Sequence, residues 1–124
     1  MPLRILADGP ILKILRWVPA AEERDLQDGF FSCPRVTPAD KKKITIALRI
    51  YTESGYPKSR EKFKLLEDDI YEMKPTAQLR LLGIKISGSF VVLLCVRKKR
   101  NDLRSQDIAK AQRLREAYYE EDEK

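Results

Sequence analysis

The chain has 124 residues, a formal net charge of +6 and no histidine. That length makes one ordinary domain, long enough to bury a core without covalent staples. The two cysteines, Cys33 and Cys95, make no disulfide framework, and without an imidazole they cannot complete a tetrahedral zinc site.

The opening MPLRILADGP carries a charge and a turn where a secretory leader needs an apolar run. The longest apolar run, Phe90–Val96, falls far short of the roughly 18 residues of a membrane span. A cytoplasmic protein is expected, with Cys95 a small core residue. The positive balance favours a polyanion or an acidic protein as partner.

In chain order, Leu3–Ala7 and Ile11–Val18 are apolar runs separated by Asp8-Gly9-Pro10. Asp-Gly is a hairpin signal, and Pro10 fits the turn. Ala20–Gln27 reads as a short helix stopped at Gly29. Next comes Thr37-Pro38-Ala39-Asp40. Thr37 suits a cap, Pro38 the first helical position, and Asp40 completes a capping box. This predicts a helix over about 38–53, with Ile44, Ala47, Leu48 and Tyr51 on its inner face and Ile46 and Ile50 widening it.

Lys58–Asp69 reads as a charged loop anchored by Phe63, Leu65 and Leu66. Ile70–Lys74 and Leu79–Ser87 read as strands. Ser87-Gly88-Ser89 makes a hairpin turn, because Gly adopts positive φ readily. Phe90–Val96 is apolar on both faces, as a covered central strand is. Ser105 starts a last helix over about 105–119, with Ile108, Ala111, Leu114 and Tyr118 inward. Residues 120–124 read as an acidic frayed tail. The order predicts an α+β domain spanning 1–124, with a small central antiparallel sheet flanked by helices.

Cations gather at one end of this sheet. Folding the hairpin about Gly88 sets Arg80 opposite residues 96–97, near Lys74, and Arg97, Lys98, Lys99 and Arg100 follow where the strand ends. Arg offers a planar fork for phosphate and Lys a compact charge. On RNA, such a cluster stabilises the charge that develops when a 2′-hydroxyl attacks the adjacent phosphate. With no histidine, the base must be Glu72 or a Lys crowded by other cations. A plainer reading stays open: the basic run is a solvated turn, Glu72 and Lys74 pair across the ladder, and Arg80 is an edge charge.

Lys62–Tyr118 resembles the RelE/HigB toxin family, in its phage-derived toxin-like subgroup. The resemblance lies in KFKLLEDDIYEMK (62–74), Arg80 opening the next strand, FVVLLCVRKKR (90–100) and IAKAQRLREAY (108–118). It implies a RelE-like fold and cleavage of messenger RNA on the ribosome without a cofactor. Lys64, Lys74, Arg80, Arg97 and Lys98 match the family's basic active-site positions. The resemblance casts Lys74 as base or phosphate contact, Arg80 and Arg97 as holding the scissile phosphate, and Lys64, Lys99 and Arg100 as contacts to flanking RNA. It also implies an antitoxin partner, of helix-turn-helix type. The late Tyr or His of many members has no clear counterpart; Tyr118 and Tyr119 fall within the expected helix. ParE-like gyrase inhibitors share the fold and are the alternative, as is an inactive protein-binding member.

Overall fold

The computed structural model describes residues 3–19, 37–76, 78–97 and 105–122. Cys33, the helix expected over Ala20–Gln27, and Lys98, Lys99 and Arg100 lie outside the described residues.

The architecture is α+β, a six-stranded sheet with a helix on each face. The expected first hairpin is present. Strand β1 (Leu3–Asp8) pairs antiparallel with β2 (Lys13–Trp17). Helix α1 (Pro38–Ser54) starts as its sequence dictates: the Thr37 hydroxyl accepts from the Asp40 N–H, and the Asp40 carboxylate accepts from the Thr37 N–H. Such a cap satisfies two amides that a helix start leaves orphaned. The Thr52 carbonyl at the other end accepts from the amides of Ile11 and Leu12, tying the helix to the hairpin turn.

Four strands follow: β3 (Phe63–Leu65), β4 (Tyr71–Met73), β5 (Leu79–Ile86) and β6 (Ser89–Arg97). Helix α2 (Ser105–Asp122) ends the described chain. Among the described residues, no helix is long and apolar enough to cross a membrane.

The structure corrects three sequence expectations. The segment read as a loop contains β3, which pairs with β4 as an edge strand; three residues are too few to show alternation. The sheet is mixed, because β2 pairs with β6 in parallel. The acidic tail is helical through Asp122, since α2 continues past its last fully buried residue, Tyr118.

The strand order is β1-β2-β6-β5-β4-β3. Both faces of β5 and β6 are therefore covered, which explains their unbroken apolar runs. On the α1 side, Ile44 and Leu48 pack with Ile14, Met73, Leu81, Phe90 and Val92. On the α2 side, Ala111 and Tyr118 pack with Trp17, Leu82, Ile84, Val91 and Leu93. Cys95 is buried in the first cluster, as a small apolar residue would be.

The hairpin turns at Gly88, whose φ of 74° is the left-handed value anticipated there. The register sets Arg80 opposite Val96 and Leu79 opposite Arg97. A bulge at Leu82/Gly83 shifts the pairing. A Cβ on Gly83 would lie 2.2 Å from the Val91 carbonyl oxygen, so the close approach there requires glycine.

Candidate functional site

Adjacent strands set a row of residues across one end of the sheet. Lys64 on β3 pairs with Glu72 on β4, and Glu72 pairs with Leu82 on β5. Leu82 faces α2. Strand alternation therefore assigns Lys64, Glu72 and Arg80 to that face, and Lys74 follows where β4 ends.

Glu72 is the centre of the group, at 1% side-chain exposure. One carboxylate oxygen lies 3.6 Å from Lys74 Nζ and 3.8 Å from Lys64 Nζ. The other lies 3.8 Å from Arg80 Nε. These are ion-pair separations, longer than hydrogen bonds. Three cations against one carboxylate leave an excess of positive charge at this end of the sheet. Burying such charges costs free energy, so the group is weak evidence for stability. What it supplies is fixed position: each cation is held at a defined place before any ligand arrives.

The cations differ in what they can touch. Arg80 is buried, at 1% side-chain exposure, and its Nη1 donates to the Leu79 carbonyl. Lys74 keeps 14% and Lys64 keeps 35% of their side-chain exposure. Solvent, and hence any phosphate, meets the lysines first. Of the expected basic residues, Lys64, Lys74 and Arg80 thus converge on Glu72. The backbone of Arg97 ends β6, one register step from Arg80. Lys98, Lys99 and Arg100 are outside the described residues.

Next to this group opens a cleft of about 700 Å³ between α1 and the residues flanking β3 and β4. Lys74 and Arg80 belong to its lining, with Lys43, Lys62 and Tyr51. Its α1 wall contains Ile46 and Ile50, which were expected to widen the buried face and are instead exposed. The helix carries two stripes. Ile44, Leu48 and Thr52 face the core, while Lys43, Ile46, Ala47 and Ile50 line the cleft. The second stripe has i, i+3, i+4, i+7 spacing. That spacing is visible in the sequence, but it does not say which stripe the sheet will cover. Burial pushes the Tyr51 phenol up from its ordinary pKa, so it stays neutral and able to donate.

A second feature was not anticipated. Tyr56, Phe63 and Tyr71 stack in a row, with centroids 4.7 Å and 5.2 Å apart. Lys85 Nζ lies 4.6 Å from both Tyr rings and 5.4 Å from Phe63. This row depends on the β3 pairing that the sequence hides. Burial, and then the neighbouring Tyr71, push the Tyr56 phenol up to about 12.

The late tyrosines are otherwise engaged. Tyr118 packs edge-on against Trp17 at 5.5 Å, inside the core under α2. Tyr119 donates to Asp69, which also accepts from Arg115. Both serve to dock α2.

The Lys64–Tyr118 arrangement lies within a family match, to the phage-derived Gp49-like proteins (DUF891), covering residues 35–116. That is well over half of the chain. The chain belongs to this Gp49-like family. The family is associated with the RelE-like toxins of toxin–antitoxin systems. A search of curated proteins returned no match. Of the Gp49-like segment, the match takes in α1, β3 to β6 and most of α2, but not the β1–β2 hairpin.

Proposed function

We propose that this Gp49-like chain is the toxin of a toxin–antitoxin pair and cleaves messenger RNA as RelE/HigB-type toxins do. The observation that carries the reading is the convergence of Lys64, Lys74 and Arg80 on the buried Glu72, beside an open cleft. Preorganised cations at a water-accessible edge are what phosphodiester transfer needs.

In this reading the 2′-oxygen attacks the adjacent phosphorus and the bond to the 5′-oxygen breaks. The products are a cyclic phosphate and a free 5′-hydroxyl. Lys74, exposed and held 3.6 Å from Glu72, contacts the phosphate. Arg80 is a positioning residue that acts through Glu72, because its side chain is buried. Glu72 orients the cations; its burial among three of them suits a counter-ion better than a base. Lys64 contacts flanking RNA, and Arg97, Lys98, Lys99 and Arg100 extend the basic track along the strand exit. A tight acidic partner of this +6 chain would be its antitoxin.

The test is induced expression followed by mapping of transcript ends. Wild type is expected to produce new 5′-hydroxyl ends within coding regions and to arrest growth. Lys74→Met is expected to fold and to lose both. Arrest with transcripts intact and supercoiling altered would show a gyrase inhibitor instead.

A further inference from the structure

We infer that the α1 cleft is a nucleoside subsite that holds one base of single-stranded RNA next to the phosphate held at Lys74. This rests on the ribonuclease reading and adds a place that the charge cluster does not supply.

Three observations converge on it. First, shape: a cleft of about 700 Å³ has the size of a small-ligand site, about 300–1,000 Å³. Second, charge: its lining holds Lys43, Lys62, Lys74 and Arg80 against a single carboxylate, Glu61. A neutral apolar ligand would gain nothing from that sign, and a phosphate chain would. Third, the apolar wall. Ile46 is 54% and Ile50 52% exposed, on a helix whose other stripe already fills the core. Exposed isoleucines between lysines offer a flat, dry surface for a base while the lysines meet its flanking phosphates. The neutral Tyr51 phenol adds a donor on the same wall.

The cleft also shares Lys74 and Arg80 with the Glu72 group. A nucleotide in it is therefore adjacent to the phosphate position rather than at a separate surface. Base contact of this kind is tolerant of sequence, since every base has a flat face. The site would favour a base being present over any particular base.

The experiment uses the whole purified chain and a short fluorescent RNA whose 2′-methoxy groups block cleavage. Binding is read by anisotropy, with a matched series carrying one abasic position each. Ile46→Ser and Ile50→Ser leave the net charge unchanged, so a loss is not electrostatic. Ile5→Ser, at an exposed site on β1, is the control. The expected result is a loss of about tenfold in each cleft variant, the scale of one stacked base. One abasic position should weaken wild type by a similar factor and add nothing in Ile50→Ser. Wild-type binding with a flat abasic series overturns the subsite and leaves the ribonuclease reading standing. No RNA binding by wild type overturns both. Unchanged RNA binding in Ile50→Ser, with lost affinity for an acidic amphipathic peptide, assigns the cleft to a protein segment and overturns the subsite.

Discussion

Glu72 decides the local electrostatics. Its carboxylate is the shared partner of Lys64, Lys74 and Arg80. Glu72→Gln keeps the shape and removes the charge. Three cations are then left facing one another, two of them with little water. Removing one partner of a buried ion pair costs about 3–5 kcal/mol. Because Lys64 and Lys74 retain access to solvent, the expected cost lies at the lower end, about 3 kcal/mol. A urea titration should show a lower midpoint with an unchanged slope. An unshifted midpoint would mean that the cations do not depend on Glu72. At this scale the sequence showed which residue types were present, and alternation suggested which strands held them. It did not show that Glu72 lies inward with Arg80, because a polar residue in a strand reads as solvent-facing by default.

Among the elements, the docking of α2 depends on polar contacts that periodicity cannot reveal. Gln112 donates to Asp68, while Arg115 and Tyr119 donate to Asp69. Asp68 adopts a φ of 54°, turning the β3–β4 connection toward the helix. Burial raises the pKa of the Asp69 carboxyl, but the hydrogen bonds from Arg115 and Tyr119 and the Arg115 charge outweigh it, leaving it below its ordinary value. A carboxyl lowered on folding stabilises the fold above its unfolded pKa, about 3.9, and that contribution fades as pH falls through the folded value. Asp69→Asn should therefore cost about 0.5–1 kcal/mol near neutrality, a small figure because the pair is largely solvated. The gap to wild type should close below about pH 4. Thermal unfolding across pH checks this, and a gap independent of pH would show that the charge is not the cause. The helices themselves were legible. The capping box gave the start of α1, and Ala111 and Tyr118 gave the inner stripe of α2. The outward turn of Ile46 and Ile50 was not, since two overlapping apolar stripes look like one wide face.

For the molecule as a whole, the family match begins at residue 35, yet the fold reaches further back. Strand β2 lies between β1 and β6, and Ile14 and Trp17 on it are fully buried. A chain lacking residues 1–18 would expose the edge of β6 and both of its core faces. It is expected to lose cooperative unfolding and to aggregate, as an uncovered central strand does. Circular dichroism melts and size-exclusion chromatography would test this; a monomer with a sharp transition would show that residues 35–116 fold alone.

By itself, the sequence determined the local features. The Thr37 cap, the Gly88 turn and the doubly covered β6 follow from rules that act over a few residues. It also determined that cations would gather near Arg80, because a hairpin fixes its own register. Only the tertiary structure decided the rest. The parallel β2–β6 pair joins segments more than seventy residues apart, and no local signal encodes which edge β2 will take. The β3 strand, the Glu72 centre and the cleft wall all depend on that long-range arrangement. They follow from which surfaces the sheet covers, and that is settled by packing rather than by pattern.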